Sequence, residues 1–480
     1  MSTGKNKKVI TNFIWRFFER VGAQGVSFIV SIVLARLLDP DIYGTIALIM
    51  VFTTILQVLV DSGLGNALIQ KKDANHLDFS SVFIFNVCTC VVLYILMFVS
   101  APLIALFYER PELTSLIRVL SLTIVISGVK NIQQAYVSRN LMFKRFFFST
   151  IGGTLFSAVI GIWMAYKGYG AWALVAQTLS NAAIDTLILW ITVDWRPRLE
   201  FSFSRLKGLF AYGWKLLVSA LINTGFENIR ALAIGKVYTS EDLAFFNKGQ
   251  QFPQFIINNI NTSISSVLLP AMSEEQDDVE RIRAMTRRAI KTSTYFMAPA
   301  MLGLAACSRA FIELLLTAKW LPAVPFLVIF CITYVFYPIA TANLNAMMAI
   351  GRSDLFLKLE IIKKASNLII LFITIRYGVM AIAYGLIVAS FIGQIVNTWP
   401  NKKLIGYSYG EQILDILPTI MLSTFMALCV YGINYLGLGL VITLVLQIFS
   451  GVIIYVLGSI VFKFETFYYI LSTISDWKKK

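Results

Sequence analysis

Apolar runs long enough to cross a bilayer recur along this 480-residue chain, divided by short clusters of charged and turn-forming residues. A spanning helix needs about 20 mainly apolar residues. That ruler marks fourteen segments: 13–38, 43–64, 79–107, 113–137, 146–166, 171–193, 209–237, 243–269, 290–316, 323–350, 355–377, 379–398, 413–434 and 438–462. The pattern predicts an all-α membrane protein. Turn signals such as Asp39-Pro40-Asp41 and Gly168-Tyr169-Gly170 close short connections. The longest polar stretch, 273–283 (SEEQDDVERIR), predicts a cytoplasmic helical connection. After Lys463, the residues Phe464, Phe467, Tyr468, Leu471 and Ile474 recur at helical spacing. That spacing suits an interfacial helix lying on the inner leaflet.

Composition agrees with lipid as the outer solvent. Hydrophobic residues make up 58% of the chain and charged residues 14%, with a mean hydropathy of +0.74. Soluble domains carry about 25% charged residues, so this chain is too poor in charge to cover a water-facing surface. The formal charge is +15. A nucleic-acid binder would gather such charge on a soluble face, whereas here it falls in the connections, so no nucleic-acid partner is expected. With the N-terminus inside, alternate connections carry Lys71 and Lys72; Arg139, Lys144 and Arg145; Arg196, Arg198, Arg205 and Lys207; Arg281, Arg283, Arg287 and Arg288; Arg352; Lys402 and Lys403; and Lys478 to Lys480. The opposite connections hold Arg110, Lys167, Lys236, Lys319 and Arg376. This asymmetry predicts that both termini are cytoplasmic. The basic start, MSTGKNKK, leads into an apolar stretch interrupted by Arg16, Glu19 and Arg20, so the first helix is expected to stay as an anchor.

A faint repeat runs through the chain. The stretches 36–41 (RLLDPD) and 236–241 (KVYTSE) lie 200 residues apart; Gly44 falls in register with Ala244, and Trp15-Arg16 has a near counterpart in Trp214-Lys215. Repeat-built transporters look like this. The expected division is a six-helix half at 1–195, a second six-helix half at 196–403, and two additional helices with the interfacial tail at 404–480.

Metal and redox chemistry have little to work with. Cys88, Cys90, Cys307, Cys331 and Cys429 all sit in apolar stretches, and His76 is the one histidine. The cysteines read as small buried hydrophobes, and neither a metal nor a cofactor is expected. The charges inside the spans carry more information, because each costs roughly 2.5–3.5 kcal/mol at a helix centre. Arg16 and Arg20 share one face of the first helix, and Glu19 can pair with Arg16 at i, i+3. Asp61, Arg118, Lys130, Asp185, Lys215, Glu227, Arg230, Lys248, Lys358, Glu360, Lys363 and Lys364 follow. Cations exceed acids, as a lumen for a large anionic substrate would require. Guanidinium groups in particular bind diphosphate through paired hydrogen bonds. Arg16, Arg20, Arg118, Lys130, Lys215, Arg230 and Lys248 are therefore candidate substrate-binding cations. Asp61, Asp185 and Glu227 are candidate acids for ion coupling. For any one of them the competing reading is structural: snorkelling to the interface, or a local pair such as Glu227 with Arg230.

Four stretches carry a resemblance to a known family. Residues 31–44 (SIVLARLLDPDIYG) resemble the end of the first helix in polysaccharide transporters of the MOP flippase superfamily. Residues 167–175 (KGYGAWALV), 203–217 (FSRLKGLFAYGWKLL) and 269–278 (LPAMSEEQDD) resemble its Wzx-like branch, and within that branch the colanic-acid and teichuronic-acid exporter group. The resemblance implies a MATE/MurJ-like fold of about fourteen helices, as a V-shaped pair of bundles around a cationic cavity. It implies transport of undecaprenyl-diphosphate-linked oligosaccharide across the bacterial inner membrane by alternating access, with no catalytic residue. Arg20 sits where related lipid flippases use a first-helix arginine. A polymerase and glycosyltransferases would be its functional neighbours. No ATP-binding motif is visible, so direct ATP drive is not expected. Two other classes stay open: a MATE-type multidrug exporter, whose cavity should favour acids, and a membrane glycan polymerase or ligase, which should display a sizeable external loop.

Overall fold

The computed structural model describes residues 2–61 and 63–478. Met1 and the last two lysines of the basic tail, Lys479 and Lys480, lie outside them. The described residues form helices and turns with no strand. In chain order the helices are α1 (Ser2–Leu37), α2 (Pro40–Asp61), α3 (Leu64–Gln70), α4 (His76–Phe107), α5 (Leu113–Leu120), α6 (Leu122–Arg139), α7 (Phe143–Tyr166), α8 (Ala171–Thr192) and α9 (Phe203–Val237). They continue as α10 (Ser240–Glu274), α11 (Val279–Leu316), α12 (Val324–Val335), α13 (Tyr337–Ala349), α14 (Ser353–Thr374), α15 (Val379–Leu404), α16 (Tyr409–Gly432), α17 (Leu440–Val461) and α18 (Glu465–Lys478).

Eleven stretches among the described residues combine the length and apolar content needed to cross a membrane, which makes this a multi-pass membrane protein. Three further helices, α9, α10 and α14, have the length, at 35, 35 and 22 residues, but not the apolar content. These three carry eight of the intramembrane charges named above, from Lys215 and Glu227 to Lys363 and Lys364. Their polarity is what sets them apart from the eleven. The helical tail predicted after Lys463 is present as α18. The polar stretch 273–283 is mostly helix, because α10 runs to Glu274 and α11 starts at Val279.

The chain divides into two compact units, Met1–Ala244 and Phe245–Lys480. In the first, α7 packs against α1 and α8, and α9 packs against α2, α3 and α4. The 200-residue offset reappears in the helix boundaries. Helix α1 ends at Leu37 and α9 at Val237, while α2 starts at Pro40 and α10 at Ser240. Gly44 makes the junction of these turns possible, since a Cβ there would lie 1.8 Å from the Ser240 carbonyl oxygen. Around it, Arg110 reaches Asp41 at 2.6 Å and Thr45 Oγ1 at 2.7 Å, and the Ser240 hydroxyl donates to Asp41.

The opposite end of this unit collects the cations read as cytoplasmic. Arg139 donates to the carbonyls of Leu68 (2.6 Å) and Lys72 (2.9 Å). Arg145 and Arg196 donate to carbonyls at the end of α8. Lys71 meets the buried Asp78 at 3.0 Å, with Arg205 at 3.4 Å. Cations at a helix C-terminus answer both its open carbonyls and its dipole. The residues read as setting topology also close helix ends.

In the second unit α11 is the centre, packing against α12, α13, α16, α17 and α18. Uncharged polar side chains join its helices. Asn343 Nδ2 donates to Gln412 Oε1 (2.7 Å) and Asn401 Nδ2 to Asn343 Oδ1 (2.6 Å), all buried. In lipid such bonds hold helices together where hydrophobic burial cannot. Phe464, just before α18, and Phe467 and Ile470 on it pack against the core cluster of Tyr295, Met426 and Tyr455, while Tyr468 and Leu471 stay exposed. The first residue of α18, Glu465, accepts from Lys291 at 2.6 Å, and that bond holds the carboxyl below its ordinary range.

Two prolines inside helices have partners that repair the ladder. Pro102 cannot donate to the carbonyl four residues back, Phe98; Arg118 Nε donates to that oxygen at 3.2 Å, its guanidinium 4.2 Å from the Phe98 ring centroid. Pro299 likewise frees the carbonyl of Tyr295, and the Tyr455 hydroxyl donates to it at 2.8 Å. Both are the local re-satisfaction that lipid demands of a broken helix.

Candidate functional site

Polar residues at helical spacing build one site within the first unit. Thr53, Gln57 and Asp61 follow at i, i+4 and i+8 on α2; Thr123, Ser127 and Asn131 do so on α6; Gln177, Asn181 and Asp185 do so on α8. Such spacing keeps each trio near one helix face. Thr53, Gln57, Thr123, Ser127, Lys130, Gln177 and Asn181 line a common cavity of about 390 Å³. At its charged end, Lys130 Nζ lies 3.1 Å from Asp185 Oδ2, whose side chain is 9% exposed. Asp185 Oδ1 has no hydrogen-bond partner among the described residues. Asp61 Oδ1 accepts from Gln57 and from Asn131, each at 3.2 Å. Two of the three candidate acids thus flank one candidate cation. Amide and hydroxyl groups both donate and accept, so the cavity wall suits a ligand rich in hydroxyls.

The other expected site residues are distributed differently. Arg16 pairs with Glu19 at 2.6 Å, as its i, i+3 spacing predicts, and lies over the rings of Phe143 and Phe146. Arg118 is held by the Phe98 carbonyl. Lys248, 6% exposed, donates to Gln251 Oε1 at 3.0 Å and lies over the Trp320 ring. Arg230 is half-buried on α9, one turn from the exposed Glu227. Arg20 and Lys215 are exposed, and neither has a hydrogen bond or ion pair among the described residues. Of the seven candidate substrate-binding cations, these two are the ones without a partner among the described residues. Counting charges missed the uncharged wall of the cavity, although its 4-residue spacing was visible in all three helices.

Comparisons with known proteins bear on the whole chain. A family model described as "Polysaccharide biosynthesis protein" matches residues 33–325. The chain is 27% identical over 445 residues to the lipopolysaccharide biosynthesis protein WzxC of Escherichia coli (strain K12), covering 89% of each chain. It is 26% identical over 389 residues to the teichuronic acid biosynthesis protein TuaB of Bacillus subtilis (strain 168), covering 80% of each. Among solved structures it is similar to the lipid II flippase MurJ in an inward closed conformation. That match has 17% identity, a TM-score of 0.74, and covers 94% of this chain and 98% of that one; it shows a shared fold.

Proposed function

Because the chain belongs to the polysaccharide biosynthesis protein family, we propose that it moves lipid-linked oligosaccharide repeat units across the bacterial inner membrane for surface polysaccharide synthesis. The cargo is an undecaprenyl-diphosphate-linked glycan, taken from the inner leaflet and delivered to the outer one by alternating access. Both termini are cytoplasmic, and the chain is read as two six-helix repeats, 1–195 and 196–403, followed by the additional helices of 404–480. A polymerase and glycosyltransferases act beside it.

The observation that carries this reading is the collinear match, over 80–89% of both chains, to relatives named for polysaccharide biosynthesis. The chemistry supports it. Helices α9, α10 and α14 are too polar to face lipid on all sides, so their polar faces call for water or substrate. The cavity of α2, α6 and α8 offers amides and hydroxyls to sugars. The unspent cations, Arg20 and Lys215, are available for diphosphate. The candidate acids Asp61, Asp185 and Glu227 are the groups through which an ion gradient would act.

Arg20→Ala tests the reading. Surface polysaccharide export should fall at least about tenfold, the worth of one charge-assisted hydrogen bond, at unchanged protein level in the membrane. Unchanged export would remove Arg20 from the mechanism. Rescue of drug sensitivity without effect on surface glycan would replace this function with that of a multidrug exporter.

A further inference from the structure

Helix α11 opens on the densest run of cations in the second unit: Arg281, Arg283, Arg287, Arg288 and Lys291. Most of these charges are already spent. Arg281 pairs with Glu275, Arg283 with Glu411 at 3.2 Å, Arg287 with both oxygens of Asp415 at 2.7 and 2.6 Å, and Lys291 with Glu465. Arg288 is the exception. Its guanidinium lies 4.4 Å from the Tyr469 ring centroid; it makes no ion pair or hydrogen bond with a carboxylate among the described residues, and acts on Glu465 only through space.

Arg288 lines a pocket of about 290 Å³ between α11 and α18, together with Arg287, Lys291 and Thr292 of α11 and Glu465, Thr466 and Tyr469 of α18; the Glu465 carboxylate in this wall is paired with Lys291 at 2.6 Å. The hydroxyls of Thr292 and Thr466 make no hydrogen bond among the described residues. Three cations face the two carboxylates of Glu465 and Asp415, so one positive charge is left over, and three sets of donors lack an acceptor. An aromatic ring forms one side. This is the inventory that an anionic oxygen cluster would satisfy.

Position selects the source of that cluster. Helix α18 has its inner face in the core, while Tyr468 and Leu471, and Phe462 just before it, are exposed. A helix of this kind sits at the boundary between headgroups and acyl chains. Basic pockets between helices at the cytoplasmic surface hold anionic headgroups, and the topology read above puts the start of α11 on that side. We propose that the pocket binds the phosphate headgroup of an anionic inner-leaflet phospholipid, with Arg288, Thr292 and Thr466 as the phosphate ligands. The lipid would fasten α18 to α11.

The test uses the purified full-length protein in a neutral detergent. It is titrated separately with dioctanoyl phosphatidylglycerol, dioctanoyl phosphatidylcholine, inorganic phosphate and a short-chain polyprenyl diphosphate, following thermal unfolding. Phosphatidylglycerol should stabilise the protein saturably, while phosphatidylcholine and inorganic phosphate should not. Arg288→Gln, an exposed change, should weaken that effect by roughly tenfold or more, and Thr292→Val should weaken it by a smaller factor. Equal responses to the two phospholipids, or full response in both variants, would overturn the proposal. Inorganic phosphate reproducing the effect would reduce the site to a free-anion site. Saturable stabilisation by polyprenyl diphosphate at lower concentration than phosphatidylglycerol, weakened in Arg288→Gln, would assign the pocket to the transported lipid instead. None of these outcomes bears on whether the Arg20 variant exports polysaccharide, so the two readings fail separately.

Discussion

Arg118 illustrates how a charge inside the bilayer can be occupied by structure. The backbone oxygen of Phe98 would face hydrocarbon without a donor, and the guanidinium supplies one. If that is its work, the cost of removing it depends on Pro102. Arg118→Ala should lower stability by about 0.5–2 kcal/mol. Pro102→Ala, which restores the ladder bond, should shrink that loss, so a double-mutant cycle read by thermal unfolding should show coupling. Additive losses would release Arg118 to a role in substrate binding. Glu465 makes the second residue-scale prediction. Its bond to Lys291 lowers the folded carboxyl pKa, so the stabilisation is fully present above the ordinary value of 4.5 and is lost as pH falls through the lowered one. The side chain is 81% exposed, so the contribution is a fraction of a kcal/mol at most. Proteolytic release of α18 should rise in that acid window, and Glu465→Gln should flatten the dependence. At this scale the sequence showed which charges existed but not how each was spent. The spacing of Arg16 and Glu19 announced a pair four residues wide, whereas Lys130 with Asp185, 55 positions apart, needed the packing of α6 on α8.

Helices were legible wherever a long apolar run marked them. Eleven spans are apolar enough to be recognised by composition alone, and the tail helix α18 followed from spacing. Interruptions were not legible, because they depend on neighbours. The segment 113–137 is broken at Ser121, and 323–350 at Phe336. The same holds for the polar cavity, whose uncharged residues weigh little on any hydropathy scale yet fall at i, i+4, i+8 on α2, α6 and α8. The 200-residue offset, faint as sequence, recurs at one junction of the structure, where the ends of α1 and α9 and the starts of α2 and α10 keep it. Its junction gives an element-scale prediction. At Gly44 any Cβ meets the Ser240 backbone, which cannot rotate away, while at Gly25 there is no atom within 4 Å. Gly44→Ala should cost about 1–3 kcal/mol or part α2 from the start of α10. Gly25→Ala, in a helix interior, should be neutral or stabilising by up to about 1 kcal/mol. Thermal unfolding of the two variants in detergent compares them directly, and equal behaviour would contradict the close approach.

For the whole molecule the governing condition is that hydrocarbon surrounds a protein with more polar groups than hydrocarbon tolerates. Cations at helix ends, amides between helices and donors beside prolines account for many of them. Among those left are the cavity of the first unit and the exposed Arg20 and Lys215, which the proposed function assigns to a phosphorylated, hydroxyl-rich cargo. The most direct test is the leaflet in which undecaprenyl-diphosphate-linked repeat units accumulate when the gene is deleted, read with a membrane-impermeant glycan-cleaving enzyme added to sealed spheroplasts. The account predicts that the repeat units stay protected on the inner leaflet and become exposed when the wild-type protein, but not Arg20→Ala, is restored. Unpolymerised units exposed on the outer leaflet of the deletion strain would contradict it and point to a polymerase or ligase.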